Sequence, residues 1–261
     1  MPDVLDNVRE AVAERAELPG MSLMEHLQEL RSRLIRSAAA LLLGFVIAYA
    51  FSKQLYGIVQ APLTKLHLKL SFTHPTDPIN LYIKTALVGG AMLASPYILY
   101  QVWLFISPGM YSHEKKYVWP FMFTTIGLFA AGAWFGYHYV LVSAIKVLVI
   151  DMGKDFNSML TIEDYTGFFM SIILGLGVSF ELPILIFFLA LFGIVDAGFL
   201  IRHARYAILI IFIVAAIICP SPDPVAMCLF AMPMLVLYGL SVGVAFLVHP
   251  ARRKAKLTPT T

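Results

Sequence analysis

Charge is scarce in this sequence. Of its 261 residues only 13% are Asp, Glu, Lys or Arg, against 59% hydrophobic residues. A soluble domain carries roughly twice that share of charge, so much of this chain's surface faces something other than water, and lipid is the simplest candidate. The net charge of +3 is small, and the basic residues are not gathered into one stripe, which argues against a nucleic-acid partner. Cysteine is nearly absent: Cys219 and Cys228 are the two present. They form no C-x-x-C pair and no metal cluster, and they read as small apolar residues. His113-Glu114 does not continue into H-E-x-x-H, and no G-x-x-x-x-G-K-[ST] phosphate loop occurs. No cofactor is implied. The first apolar run begins near Ser37, after a long charged segment, and no small-residue cleavage site follows it. The expectation is therefore a retained membrane helix rather than a removed leader.

What the sequence has instead is long stretches free of charge. Ser37 to Ser52, Thr85 to Ser112, Tyr117 to Ile145 and Tyr165 to Val195 are four, the last broken only by Glu181. A fifth stretch, Tyr206 to Val248, is interrupted only by Asp223 and is too long for one crossing of a hydrocarbon core about 30 Å thick. The run Pro220-Ser-Pro-Asp-Pro224 cannot stay helical, because proline lacks the amide and its ring clashes with the preceding turn. It splits this stretch in two. The reading is an all-α membrane protein with six transmembrane helices, at about 34–52, 82–107, 115–146, 164–192, 205–219 and 225–248. The fifth offers only about 21 Å of helix and is short for a bilayer. Pro96, Pro108, Pro120, Pro183 and Pro233 favour kinks, and hence a concave body.

Arg31, Arg33 and Arg36, then Lys115 and Lys116, then Arg202 and Arg205, then Arg252, Arg253, Lys254 and Lys256 fall on one side of these spans. The opposite loops hold Lys53, Lys65, Lys69 and Lys154. The positive-inside rule then places both termini in the cytoplasm. Residues 1–21 read as a cytoplasmic extension, 22–249 as the membrane domain and 250–261 as a basic tail. From Ser22 a capping box leads into a stripe of Met24, Leu27, Leu30 and Leu34, which suits an interfacial helix entering the first span. Glu29 and Arg33 stand four apart on it, the spacing of an ordinary ion pair. Asp164, behind Thr161, suits a helix cap at the start of the fourth span.

Several segments resemble one family. His26-Leu-Gln-Glu-Leu-Arg-Ser-Arg-Leu34 resembles the N-terminal H-L-x-E-L-R-x-R-L signature of TatC, the core subunit of the twin-arginine protein translocase. Ala61-Pro-Leu63, Ser95 to Glu114, Gly177-Val-Ser-Phe-Glu-Leu-Pro183 and Ser221-Pro-Asp223 match further family segments in order, from about residue 24 to 249. The resemblance implies a glove-like receptor rather than an enzyme, in the bacterial inner membrane. It would bind the paired arginines of signal peptides on folded precursors, and gather TatA and TatB subunits for export driven by the proton gradient. It also implies self-association within a TatB–TatC complex surrounded by lipid.

An arginine pair calls for carboxylates, because a planar guanidinium makes two parallel charge-assisted bonds to one. The matching positions are Glu29 and Glu114, with Leu30, Arg31, Phe105 and Tyr111 as walls of the same site. Glu114 also suits the first turn of the third span, behind Ser112 as cap. Glu181 is a costly acid within the fourth span, and the resemblance implies that a partner helix docks there, with Asp223 and Met227 contributing. A family member often carries a polar residue where this chain has Met227. The alternative is a small-solute transporter or channel, which would need more intramembrane charge and paired halves. A membrane protease is disfavoured because Gly177-Val-Ser-Phe-Glu181 lacks the final glycine of G-x-S-x-G and has no histidine near it except His138.

Overall fold

The computed structural model describes residues 23–106, 118–154, 159–191, 193–219 and 224–248. Helix α1, Leu23–Ala50, runs as one 28-residue element. The interfacial helix expected before the first span is thus its first third. The reason is local: no proline or glycine falls between Leu23 and Leu43, and Glu, Gln, Arg, Leu and Ala favour helix throughout. At about 1.5 Å per residue α1 is about 42 Å long, more than the hydrocarbon core needs, so one end stands out of it. Helix α2, Ser52–Lys65, follows after a short turn at Phe51. α3 is Asp77–Ile106, and α4 is Val118–Phe135. α4 continues through a π-helical turn at Gly136–Val140, α5 at Leu141–Ile145 and a second π-helical turn at Lys146–Asp151. α6, Ile162–Ser179, and α7, Leu182–Leu191, are separated by a break at Phe180–Glu181. Short α8, Ala197–Arg202, precedes α9, Ala204–Ile218, and α10 is Pro224–Val248.

Five of these stretches are long and apolar enough to cross a membrane: Met24–Ala50, Asp77–Phe105, Pro120–Asp151, Ile162–Leu191 and Pro224–Leu247. Ala204–Ile218 is a shorter apolar helix. Leu42, Leu43, Val46 and Ile47 on α1, and Leu209, Ile210, Ile213 and Ile217 on α9, are exposed. Such faces suit lipid. The main core lies around α6, where Tyr165, Ile172 and Leu176 are almost wholly buried against Leu141 and Ala144 of α5 and Phe230 of α10. Cys219 belongs to this core, and Cys228 is exposed. α1 packs chiefly on α3, and the closest approach is between glycines. A methyl group on Gly90 would sit 2.6 Å from the Phe45 amide nitrogen, and one on Gly44 would sit 2.5 Å from the Gly90 carbonyl. Only residues without a side chain allow two backbones so near.

The prolines behave in two ways. Pro120, Pro183 and Pro224 stand in the first turns of α4, α7 and α10, where the missing amide has no partner to lose. Pro62, Pro96 and Pro233 lie inside helices, and each denies a bond to the carbonyl four residues earlier. Side chains take up two of those carbonyls. Tyr137 donates its hydroxyl to the Ile58 carbonyl at 2.8 Å, and Ser95 donates to the Met92 carbonyl at 2.8 Å. Tyr165 adds a bond to the Val59 carbonyl at 2.6 Å. These tyrosines fasten α2 to the helices beneath it. Between α2, α3, α4 and α6 lies an apolar cavity of about 660 Å³, with Leu55, Val88, Met92, Ala133, Trp134 and Phe169 among its walls.

Ser71 pairs with Thr161 as an isolated bridge, through Ser71 N–H to the Leu160 carbonyl and Ile162 N–H to the Ser71 carbonyl, each at 2.9 Å. Thr161 is the N-cap of α6: its hydroxyl oxygen accepts from the Asp164 amide at 3.1 Å and donates to the Asp164 carboxylate at 2.6 Å. The cap expected at Thr161 and Asp164 is present in this reciprocal form. Asp77 is buried and accepts from the Thr73 and His74 amides at 2.8 and 2.9 Å, which closes the loop leading into α3.

Candidate functional site

α1 and α3 run antiparallel, so the first turns of α1 lie beside the last turns of α3. On α1, His26, Glu29 and Arg33 recur at three and four residues and share one face. On α3, Gln101 and Phe105 are one turn apart. The two faces meet. His26 stacks on Phe105 with ring centroids 4.5 Å apart and planes 23° from parallel. Arg33 donates through Nε to Glu29 Oε1 at 3.0 Å, donates to the same oxygen through Nη2, and reaches Gln101 Oε1 through Nη1 at 3.4 Å. Gln101 is 3% exposed, and the side chains of Glu29 and Arg33 are mostly buried. The other carboxylate oxygen, Glu29 Oε2, is buried and receives no hydrogen bond from the described residues. Leaving a buried acceptor empty costs roughly 1–3 kcal/mol, more when it is charged. The site thus holds one guanidinium on one carboxylate oxygen, and among the described residues the other oxygen has no donor.

Of the residues expected around this carboxylate, Phe105 is beside it, through His26. Leu30 and Arg31 are exposed on α1. They lie about 100° and 200° around the helix from Glu29 and do not share its face. Glu114 and Tyr111 lie outside the described residues, as do Pro108, residues 1–22 and the tail after Val248.

The second polar spot is Glu181, in the break between α6 and α7. Its amide donates to the Val178 carbonyl, and its carbonyl accepts from the Leu185 amide at 2.9 Å. Pro183 cannot extend α6, because it has no amide to offer the Ser179 carbonyl. The chain therefore starts a new helix at Leu182. Glu181 Oε1 is buried without a hydrogen-bond partner among the described residues, on a side chain that is otherwise partly exposed. Further along α7, Phe187 and Phe188 join an aromatic cluster with Trp103 and Phe121, in which Trp103 Nε1 donates to Thr125 Oγ1 at 3.2 Å. Met227 is not near Glu181. It packs in the first turn of α10, in the core where Phe168 meets Phe230 with ring centroids 6.0 Å apart. Phe168 is about 20 Å along α6 from Glu181. Asp223 lies outside the described residues.

A family profile described as Sec-independent protein translocase protein (TatC) matches residues 25–233, which include both polar spots. The chain belongs to the TatC family. The TatC protein of Koribacter versatilis is 48% identical to it, over 98% of this chain and 96% of the relative. That of Aquifex aeolicus is 39% identical, over 90% and 98%. Among solved structures, a crystal structure of the twin arginine translocase receptor TatC superposes with a TM-score of 0.80 at 38% identity. It covers 86% of this chain and 99% of that one.

Within this TatC chain, sequence reasoning missed His26 and Gln101 as site members. Gln101 carried a usable signal, a lone amide within a charge-free run, since buried amides are retained where something needs their hydrogen bonds. His26 carried two signals, its helical spacing from Glu29 and its place as the first residue of the H-L-x-E-L-R-x-R-L segment. The contact of Arg33 with Gln101 joins residues 68 apart in sequence, and only the fold reveals it. Among the described residues, no cluster of three or more His, Cys, Asp or Glu side chains could hold a metal ion.

Proposed function

We propose that this TatC protein is the receptor of a twin-arginine translocase, and that it binds the paired arginines of signal peptides on folded precursors at Glu29. The observation that carries the reading is the Glu29 carboxylate itself: it already accepts a guanidinium on one oxygen, and its other oxygen is buried with no donor among the described residues. Glu114 supplies the second carboxylate, Phe105 packs behind the first, and Leu30, Arg31 and Tyr111 form the approach. Six spans, the five long ones and Ala204–Ile218, return both termini to the cytoplasm of an inner membrane. The excess of Arg and Lys on that side supports this topology. The chain divides into a cytoplasmic extension to residue 21, a membrane domain to 249 and a basic tail. Glu181 offers a polar contact to the membrane helix of a TatA or TatB partner, with Asp223 and Met227 at the far end of the same interface. Self-association places several such chains in one complex. The reading is of a receptor rather than an enzyme, and transport draws on the proton gradient.

The test is binding of a fluorescent twin-arginine signal peptide to the purified protein in nanodiscs, with a peptide carrying two lysines as control. The expected result is preference for arginine, weakened by Glu29→Ala and by Glu114→Ala. Equal binding of both peptides, with and without TatB, by a folded sample would overturn the proposal.

A further inference from the structure

Glu29 is not empty in the absence of a ligand: Arg33, one turn further along α1, occupies it. The arrangement is lopsided. Nε and Nη2 both donate to Oε1, and Oε2 receives nothing from the described residues. A guanidinium and a carboxylate are held best by two parallel bonds to two oxygens, and Arg33 does not make that pairing. The third nitrogen, Nη1, already points to Gln101 Oε1, at a long 3.4 Å. Gln101 is buried, and its carbonyl oxygen has two lone pairs. Arg33 therefore sits between a carboxylate that it grips incompletely and an amide oxygen that could accept it more closely.

We propose that Arg33 is a resident, displaceable guanidinium that competes with the incoming arginine for Glu29 and is handed over to Gln101 when the signal peptide binds. This inference rests on the receptor reading and adds a specificity-determining residue to it. The arriving arginine takes both oxygens of Glu29 in a forked pair, and Arg33 swings towards Gln101, shortening the Nη1 contact. A lysine cannot drive this exchange. Its ammonium is a compact point charge without a fork, and it would replace two charge-assisted bonds with a less directional contact. Arg33 thus sets a threshold that a guanidinium passes and an ammonium does not.

The experiment measures affinity of the full-length protein in nanodiscs for the arginine-pair and lysine-pair peptides. Arg33→Gln removes the competing charge and keeps a polar side chain beside Gln101. The expected result is tighter binding of the arginine-pair peptide, by about two- to five-fold, the effect of removing a partly buried i,i+4 ion pair. The lysine-pair peptide should gain more, so that the preference for arginine narrows. In a Glu29→Gln background the Arg33→Gln change should have no such effect. A residue that merely shapes the site would, when changed, weaken both peptides alike, and unchanged or weaker binding in Arg33→Gln overturns the proposal. A second variant reads the hand-over without touching Arg33. Gln101→Met should weaken the arginine-pair peptide by about two- to ten-fold, because it removes the gain from shortening a hydrogen bond that is already partly made. Loss of the same size in the Arg33→Gln background would show that Gln101 acts by packing alone and would refute the hand-over. If the unsubstituted protein does not prefer arginine, or Glu29→Gln leaves that preference intact, the receptor reading has failed. If both controls hold and Arg33→Gln does not tighten binding, this inference alone has failed.

Discussion

Replacing Gly90 by alanine would place a methyl carbon 2.6 Å from the Phe45 amide nitrogen and 2.7 Å from its α-carbon. Both are backbone atoms of α1, so no side chain can turn aside, and the helices must separate by about 1 Å to restore an ordinary contact. Two effects oppose each other. Alanine is favoured over glycine inside a helix by about 1 kcal/mol. Overpacking costs about 1–3 kcal/mol, and a clash with backbone belongs at the upper end. The net effect is a loss of about 1–2 kcal/mol, or a fall in melting temperature of about 2–8 °C for a chain of this length. Gly239→Ala is the internal control, because a methyl there meets nothing within 4 Å. It should show only the propensity gain and melt at or slightly above the unsubstituted protein. Thermal unfolding in detergent, followed by tryptophan fluorescence, reads both variants. A second consequence follows from α1 and α3 being the two walls of the Glu29 site. A separation of about 1 Å carries the Arg33–Gln101 contact, 3.4 Å to begin with, beyond hydrogen-bond range, so Gly90→Ala should also alter arginine-peptide binding from mid-membrane. A Gly90→Ala protein that melts at or above the unsubstituted protein would mean that the two helices do not meet backbone to backbone at Gly90.

Tyr165→Phe should destabilise the protein by about 1–3 kcal/mol, the cost of removing a donor from a buried carbonyl. Its hydroxyl is 2.6 Å from the Val59 carbonyl, and the side chain is 1% exposed. Tyr137→Phe should act on the Ile58 carbonyl that Pro62 leaves unpaired, and hydrogen exchange across α2 should rise in both variants before it rises in α6. Asp77→Ala removes the acceptor shared by the Thr73 and His74 amides, so limited proteolysis should cut the segment 71–77 sooner, with α3 itself protected. An unchanged cleavage pattern would mean that the Ser71–Thr161 bridge holds that loop without Asp77.

That the chain is built of long apolar helices was legible because bilayer crossing demands a long apolar stretch. Thr161 and Asp164 were legible because capping is local. What escaped was of three kinds. α2 reads as a polar loop, since Lys53, Gln54, Gln60, Pro62 and Lys65 interrupt its apolar residues, and it becomes helical by burying Val59, Pro62 and Leu63. The π-helical turns at Gly136–Val140 and Lys146–Asp151 have no composition of their own. At Gly136 the turn lies against Ile172 and Leu176 of α6, where a methyl group would come within 3.2 Å of both side chains. The Glu29 site was half legible. The carboxylate and its i,i+4 arginine are a pattern within one helix, whereas Gln101 and the His26–Phe105 stack exist only once α3 is antiparallel to α1.

Glu181 gives the clearest separation of stability from function. A carboxyl oxygen buried without a partner is a liability to the isolated chain, worth roughly 1–3 kcal/mol. Glu181→Leu keeps the size and removes the unpaired oxygen. The isolated protein should therefore become more stable, with a melting temperature higher by about 2–12 °C. The same change should weaken association with a partner's membrane helix, because an apolar helix face in lipid gains nothing from leucine that the hydrocarbon does not already supply. The two readings are melting in detergent and site-specific crosslinking from neighbouring Val178, which is 63% exposed. A more stable protein with reduced capture of a single-span partner is the expected pair of results. A less stable Glu181→Leu protein would mean that the carboxyl serves the chain's own packing, and the unpaired oxygen would then be no argument for a docking site.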